Sequence, residues 1–417
     1  MNESAPIPTE SRISALDGFR GLAILMVTVY RFAEVSLTSD VVGNLPSKLF
    51  FLGASGVDFF FVLSGFLITG ILLDAKGRSG SYFGRFYYRR SLRIFPLYFA
   101  MLFVFFVALP LSFGDTEIIR QVRGNPIHLW MYTMNLQMAW LNDFCYGPFN
   151  HFWSLAVEEQ YYLVWPVIVF GMKSQALLRL CTMSLVILAM ARIGFSFAEL
   201  GSVAEKVFTL FRLDGLLLGS VAAIMIREMP TWQRHITTYR WTGAIMLLLF
   251  AATLPLGSND YTIRFTIVSG VAVALLLATL ASGPTSWEKR LLDNPPMRSL
   301  GKYSYAMYMF QLPMIPLFSP WVSPDLLTQQ IGSPILGGVV YVALMFFMTY
   351  AFAIVSWYGF EMWCLKLRHL WASPTATTAT NLTDHSLDTT SVVTSTVSAP
   401  KFSSRTRREE DVVTHTE

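Results

Sequence analysis

Apolar stretches of about 20 residues, separated by short polar segments, run along most of the chain. A helix needs about this length to cross the hydrocarbon core of a bilayer. The pattern therefore predicts ten membrane-spanning helices, near residues 21–37, 56–73, 94–113, 153–171, 180–198, 208–226, 241–256, 264–283, 303–319 and 335–358. The stretch 128–141 is aromatic and rich in methionine, but Asn135 and Gln137 interrupt it, so we interpret it as an interfacial or re-entrant helix.

Composition and loop charge favour an all-α polytopic membrane protein. Of the 417 residues, 53% are hydrophobic and only 14% are charged, whereas about a quarter of the residues of a soluble domain are charged. Lysine and arginine gather in every second loop, while the alternate loops are mostly acidic. By the positive-inside rule, this alternation predicts a multi-pass protein of the plasma (inner) membrane with both termini cytoplasmic.

The chain divides by composition into two regions. Residues 1–371 form the predicted membrane domain, and the Ser/Thr-rich residues 372–417 predict a disordered cytoplasmic tail. The first residues carry no basic n-region, so the first apolar segment is expected to remain as a helix. Three cysteines without close spacing predict no disulfide framework, and no spacing of histidine, cysteine and acidic residues predicts a metal site.

Two arginines of the first span are the first candidates for chemistry. Arg20 and Arg31 are eleven residues apart, about three helical turns, so both lie on one face, roughly 16 Å apart along the axis. A charged side chain inside a membrane costs roughly 3 kcal/mol or more unless it is paired or hydrated, and it usually marks a functional site. We therefore predict a counter-charge for Arg31, supplied by Glu158 or Glu159.

The start of the fourth span combines a base, an acid and hydrogen-bond donors. In the stretch HFWSLAVEEQYYLVWP, His151 and Glu158 are seven residues apart and are expected near one helical face. Trp153 and Ser154 lie between them. This set suits proton transfer at a bound hydroxyl group. A buried hydrogen-bond network that joins this helix to the first span explains the same residues equally well.

Polar residues of the second and third spans suit a phosphorylated ligand. Ser64, in GVDFFFVLSGFLITG, offers a hydroxyl, although Gly65 beside it also favours simple close packing of helices. Arg90 and Arg93, three residues apart, share a helical face at the predicted cytoplasmic surface. Arginine pairs suit phosphate because the planar guanidinium donates two hydrogen bonds at once. An ordinary positive-inside anchor is the alternative explanation for this pair.

Four stretches, in order along the predicted ten-helix frame, resemble the acyltransferase 3 family of integral-membrane O-acyltransferases. They are LDGFRGLAILMVTVYRF, GVDFFFVLSGFLITG, RRSLRIFPLY and HFWSLAVEEQYYLVWP, and the resemblance covers about residues 12–368. Weaker similarity extends to FRLDGLLLG, LGKYSYAMYMFQLP and SWYGFEMW.

The resemblance implies an enzyme that moves an acyl group, usually acetyl, from coenzyme A to a hydroxyl of a cell-envelope glycan or lipid-linked sugar. Acetyl-CoA would be a donor substrate held by Arg90, Arg93 and Ser64, with no permanently bound cofactor. Membrane lipids are further expected partners, and nucleic acid is not. The candidate catalytic residues are Arg20, Arg31, His151, Trp153, Ser154 and Glu158.

Arg31 departs from the family pattern, in which an arginine on the first helix precedes, by ten intervening residues, a histidine that serves as the general base. Arg20 matches the arginine, Arg31 occupies the histidine position, and Gln311 stands where members often have another histidine. A guanidinium stays protonated and cannot accept a proton. Three explanations stay open: a substitution introduced into an ordinary enzyme, a natural inactive relative that acts as a binding module, or a base relocated to His151 or Glu158. A transporter of the acceptor is a further alternative, although no internal repeat favours it.

Overall fold

The computed structural model describes residues 9–38, 41, 52–76, 81–114, 116–198, 201–253 and 261–367. Within these ranges the regular elements are helices, without a strand, which confirms the predicted all-α class. The predicted tail and the boundary between residues 371 and 372 lie outside the described residues, so this division stays a prediction.

The described part contains ten helices of 16 residues or more. They are α1 (Thr9–Ser36), α2 (Gly56–Ala75), α3 (Tyr82–Phe103), α4 (Trp153–Gly171), α5 (Ser174–Phe197), α6 (Leu213–Glu228), α7 (Ile236–Thr253), α8 (Tyr261–Ala281), α9 (Pro295–Phe310) and α10 (Pro334–Ser356). Each predicted span overlaps one of them.

Six helical segments are long and apolar enough to cross a membrane. They are Leu52–Ala75, Tyr82–Ser112, Ser174–Phe197, Thr209–Glu228, Arg264–Ala281 and Pro334–Lys366. The chain is therefore a membrane protein, while the number of ten spans and the orientation of the termini stay predictions.

Shorter helical segments connect the long ones. They are Val104–Ala108, Leu109–Phe113, Glu117–Arg120, Ile127–Trp130, Met134–Leu141, Gly147–Phe152, Ser202–Val207, Thr209–Arg212, Trp232–His235, Trp287–Leu292, Met314–Phe318, Pro324–Ile331, Trp357–Glu361 and Met362–Lys366. The stretch interpreted as interfacial or re-entrant forms two of these, which meet near Tyr132 at a left-handed φ of 52°. Its ring stacks on Tyr98 at a centroid distance of 4.2 Å. Neither helix is long enough to span a bilayer.

Glycines let two helix pairs touch backbone to backbone. Between α2 and α6, a Cβ atom at Gly65 would lie 1.9 Å from the Leu216 carbonyl oxygen, and one at Gly219 would lie 2.0 Å from that of Val62. Between α1 and α9, a Cβ atom at Gly301 would lie 1.8 Å from the Asp17 carbonyl oxygen. Small residues commonly allow such close approach between membrane helices. The packing interpretation of Gly65 is thereby confirmed.

Buried ion pairs join α2, α5 and α6. Asp58 on α2 accepts a 2.6 Å hydrogen bond from Arg212, which immediately precedes α6. Asp214, on the first turn of α6, lies 3.2 Å from Arg192 of α5. All four side chains are at most 3% exposed. At the other end of the α2–α6 crossing, Asp74 and Arg227 form a more exposed pair, also at 2.6 Å.

Candidate active site

A cavity that is open to solvent lies among α1, α2, α3, α4 and α9. Its volume is about 770 Å³, which includes the solvent space at its mouth. Its polar lining residues are Arg20, Ser64, Arg90, Arg93, Ser154, Glu158, Ser304, Tyr305 and Tyr308. Apolar residues, mainly from α2, complete the wall. Six residues that the sequence singled out therefore come together in one place, although they originate from four different helices.

Glu158 is held from three sides. Its Oε1 accepts a 2.9 Å hydrogen bond from Ser64 of α2, and its Oε2 accepts one of 3.0 Å from Tyr162, one turn later on α4. Arg90 Nη2 of α3 lies 3.9 Å from Oε2. The Arg90 guanidinium also lies over the Tyr162 ring, 4.0 Å from its centroid. The carboxylate thus ties α2, α3 and α4 together at the cavity wall.

The residues that line the cavity include three arginines and one acid, Glu158. Arg20 pairs with Asp17 at 2.6 Å, and Arg90 lies beside Glu158. Arg93 is within electrostatic range of Arg20 and Arg90, and it makes no ion pair or hydrogen bond with the residues that the structure describes. Like charges gathered around an open volume favour an anion, and guanidinium groups suit phosphate in particular.

One wall of the cavity is a hydrogen-bonded group of Ser154, Tyr308 and His151. The hydroxyls of Ser154 and Tyr308 share a hydrogen bond of 2.7 Å, and Tyr308 also donates to the His151 carbonyl oxygen at 2.8 Å. The His151 ring returns the contact through Nε2, 2.9 Å from the Tyr308 carbonyl oxygen. His151 does not line the cavity; it lies behind the two hydroxyls, 1% exposed.

The structure places Glu158, but not His151, in the lining of the cavity. His151 belongs to a short 3-10 segment, Gly147–Phe152, and α4 begins only at Trp153. Trp153 also does not line the cavity: it packs edge-on against Phe61, with ring centroids 6.1 Å apart, and its ring lies 5.4 Å from the Arg212 guanidinium.

The predicted pairing of Arg31 with Glu158 or Glu159 is wrong. Arg31 Nη1 lies 3.0 Å from Glu34 Oε2, one turn later on α1. A neighbour three residues away on the same helix is within easy reach, while Glu158 already lies beside Arg90. Arg31 does not line the cavity, although it is within electrostatic range of His151 and Tyr308.

Helix α9 contributes three polar residues to the cavity that were not predicted from the sequence. Ser304 and Tyr308 are four residues apart in LGKYSYAMYMFQLP, a spacing that places both on one helical face, and Tyr305 lies beside them. The four-residue spacing of Ser304 and Tyr308 is the feature of the sequence that could have predicted a polar face on α9. Gln311, one turn further, is fully buried and accepts a 3.3 Å hydrogen bond from Thr28 of α1.

Most of this chain is similar in sequence to known acyltransferases. A family model described as an acyltransferase domain matches residues 13–358. The "Putative peptidoglycan O-acetyltransferase YrhL" of Bacillus subtilis (strain 168) is 30% identical over 348 residues, covering 79% of this chain and 51% of that protein. The peptidoglycan O-acetyltransferase OatA of Listeria monocytogenes is 26% identical, covering 74% and 50%, respectively. The O-acetyltransferase OatA of Staphylococcus aureus (strain NCTC 8325 / PS 47) is 27% identical, covering 73% and 50%.

The chain spans about half the length of these curated relatives. No solved structure matches it.

Proposed function

The chain belongs to the acyltransferase family whose model matches residues 13–358, and on that premise we propose that it moves an acyl group, acetyl in the first instance, from coenzyme A to a hydroxyl of the cell envelope. The names of its relatives, peptidoglycan O-acetyltransferases, favour an envelope carbohydrate or lipid-linked sugar as the acceptor. The observation that carries the proposal is the cavity lined by Arg20, Arg90 and Arg93, because guanidinium groups suit the phosphates of coenzyme A.

The donor site that we propose is formed by Arg90, Arg93 and Ser64. Arg93 is the main phosphate ligand, because it lines the cavity and makes no ion pair with the described residues, while Arg90 is already engaged with Glu158. Arg20, on α1, adds a further guanidinium within electrostatic range of Arg93. The apolar part of the cavity would take the thioester and its acyl group.

The membrane arrangement proposed with this function has ten spans, both termini in the cytoplasm and a location in the plasma (inner) membrane. Coenzyme A would then enter from the cytoplasmic side, where the basic loops lie, and the acceptor from the outer side. This orientation places Arg90 and Arg93 near the entry of the donor, and His151 and Arg31 toward the acceptor.

The reaction exchanges a C–S bond for a C–O bond and moves the hydroxyl proton to the sulfur. The acceptor oxygen attacks the thioester carbon, the new C–O bond replaces the C–S bond, and coenzyme A leaves as the thiol. A base must take the hydroxyl proton, and a donor must stabilise the negative charge that develops on the thioester oxygen. Of the residues at the cavity, Ser154 and Tyr308 offer hydroxyl donors there, while Glu158 positions Arg90 and Ser64.

The donor site is tested by replacing Arg93 with glutamine. Loss of a charge-assisted hydrogen bond to phosphate should weaken coenzyme A binding about 10-fold or more, measured by titration calorimetry of the purified protein in detergent. Arg89→Gln is the matched control, since it removes the same charge from the same helix at a residue that does not line the cavity. Equal binding by the two variants would contradict the donor site.

Turnover separates an acyltransferase from a transporter of the acceptor. The protein with acetyl-CoA and muropeptides from digested peptidoglycan is expected to release free thiol and to yield acetylated product. Movement of the glycan across a vesicle membrane without coenzyme A would favour transport instead. A protein that binds coenzyme A but releases no thiol would favour the third reading, a catalytically silent binding module.

A further inference from the structure

Three consecutive phenylalanines on α2 have three different surroundings. Phe59 is buried and stacks on Phe19 of α1, with ring centroids 5.2 Å apart. Phe61 lines the cavity, but it is only 1% exposed and packs edge-on against Trp153 at 6.1 Å. Phe60, between them, also lines the cavity and is only half-buried. Of the three rings, Phe60 is therefore the one whose surface is not covered by packing.

Phe60 belongs to a layer of three residues that contact one another across the cavity wall. Its ring meets the Tyr308 ring of α9 edge-on, with centroids 6.3 Å apart. The Tyr308 hydroxyl shares a 2.7 Å hydrogen bond with Ser154 of α4. All three residues line the cavity. Direct contacts thus join α2, α9 and α4 at one level, which we call the Phe60 layer.

The hydrogen bond between Ser64 and Glu158 lies one helical turn from the Phe60 layer. Ser64 follows Phe60 by four residues on α2, and Glu158 follows Ser154 by four residues on α4, so each step is about 6 Å along its helix. Glu158 carries charge and has Arg90 beside it. The Phe60 layer contains two hydroxyls and an aromatic ring but no charged side chain. The cavity therefore has a charged level and, one turn away on the same two helices, an uncharged one.

The acyl end of a thioester suits the uncharged level. Its carbonyl oxygen accepts hydrogen bonds from hydroxyl groups, and its alkyl end is stabilised by contact with apolar atoms. We propose that the acyl group of the donor binds in the Phe60 layer, and that the Phe60 ring restricts it to a short chain such as acetyl. This inference rests on the proposed function, which supplies the acyl thioester, and it names the residue that selects the acyl group.

The restriction is steric, because the wall on either side of the ring is fixed. Tyr308 is held by Ser154 and by the 2.8 Å hydrogen bond that it donates to the His151 carbonyl oxygen. Helix α2 has no space to retreat, since it touches the backbone of α6 at Gly65. A longer acyl chain therefore has to displace the Phe60 ring. One methylene too many in an apolar pocket commonly weakens binding about 10-fold or more.

The test is Phe60→Ala in the full chain, with donor analogues that cannot react. S-ethyl-coenzyme A and S-butyl-coenzyme A are thioethers without an acyl group to transfer, and they differ by two methylenes. We expect the parent to bind the butyl compound more weakly than the ethyl compound. Loss of the ring should favour the butyl compound, relative to the ethyl compound, by about 10-fold or more, the value of two buried methylenes. Titration calorimetry of the purified protein in detergent measures both affinities.

Two controls separate the Phe60 ring from other effects. Phe59→Ala removes an identical side chain from the same helix at a residue that does not line the cavity, so it reports the effect of lost packing alone. Leu67→Ala enlarges the cavity one turn beyond Ser64, on the side away from Phe60. Neither should change the ratio of the two affinities. An unchanged ratio in Phe60→Ala, or an equal gain in Leu67→Ala, would overturn the proposal.

Phe60→Leu decides the question where the alanine variant does not fold. Leucine keeps an apolar side chain at this position but is smaller than phenylalanine, so the butyl compound should gain about 4-fold, the value of one methylene. A folded leucine variant with the ratio of the parent would contradict the proposal.

The parent itself distinguishes this inference from the proposed function. A parent that binds neither coenzyme A nor the two thioethers contradicts the proposed function. A parent that binds coenzyme A, and binds both thioethers equally well, contradicts only the assignment of Phe60. These measurements need no turnover, so they do not depend on the effect of Arg31 on activity.

Discussion

Replacing Asp58 by asparagine is expected to lower the free energy of unfolding by about 3–5 kcal/mol, the usual cost of breaking a buried ion pair from one side. The neutral amide leaves Arg212 charged, and this side chain is only 1% exposed. Arg212 makes no other ion pair with the described residues, and its guanidinium lies among aromatic rings, 3.6 Å from the centroid of the Phe265 ring. Unfolding of the purified protein in detergent, followed by circular dichroism against increasing denaturant, measures the loss.

Asp74→Asn is the control for this change. The Asp74–Arg227 pair joins the same two helices at the same distance, 2.6 Å, but its side chains are 52% and 25% exposed. Water and salt screen such pairs, so its loss should cost at most about 1 kcal/mol. Equal losses in the two variants would contradict the view that burial sets the value of the Asp58–Arg212 pair. Adding Arg212→Met to Asp58→Asn should recover part of the stability, because no uncompensated charge then remains.

Gly65→Ala is expected to cost about 1–3 kcal/mol or more, the usual range for an overpacked interior. The new Cβ atom would lie 1.9 Å from a backbone oxygen of α6, which cannot turn aside as a side chain can. The two helices must therefore move apart. Ser64 directly precedes Gly65, so its hydrogen bond to Glu158 should lengthen as well. Coenzyme A binding should therefore weaken together with stability.

Gly194→Ala on α5 is the control for the helix propensity of alanine. A Cβ atom at Gly194 would meet no atom within 4 Å, and alanine is better than glycine inside a helix by up to about 1 kcal/mol. This variant should be as stable as the parent or slightly more so, with unchanged donor binding. A Gly65→Ala variant that matches it in both measurements would show that α2 and α6 do not need their close contact.

Hydropathy predicted where the helices lie, because apolar runs and polar breaks are local properties of the chain. It could not predict how a helix begins or is interrupted. His151 belongs to the 3-10 segment before Trp153, and it does not line the cavity with Glu158. The π-helical turn at Val104–Ala108 has no clear signal in the sequence either.

The cavity was predictable in part. Arg20 and Glu158 drew attention because membrane interiors penalise charge, and Arg90 drew attention because, with Arg93, it forms an arginine pair that suits phosphate. Their partners were not predictable, because pairing depends on which helices are neighbours. Arg31 illustrates this: the sequence alone favoured a distant carboxylate, whereas the structure uses Glu34 on the same helix. Tyr308 was missed since a tyrosine near a membrane interface usually indicates an anchor.

The buried ion pairs also constrain how the chain is inserted during synthesis. A charged residue raises the free energy of inserting a lone helix, by up to roughly 2.5–3.5 kcal/mol at the helix centre, and both Arg212 and Asp214 lie at the start of α6. Arg192 of α5 emerges before Asp214 and pairs with it, so these two helices favour entry into the bilayer as a hairpin. Arg212 then finds its carboxylate only on α2, synthesised about 150 residues earlier, as the separation of 154 positions requires. The Asp58–Arg212 ion pair can therefore form only after the first and second halves of the membrane domain have packed together.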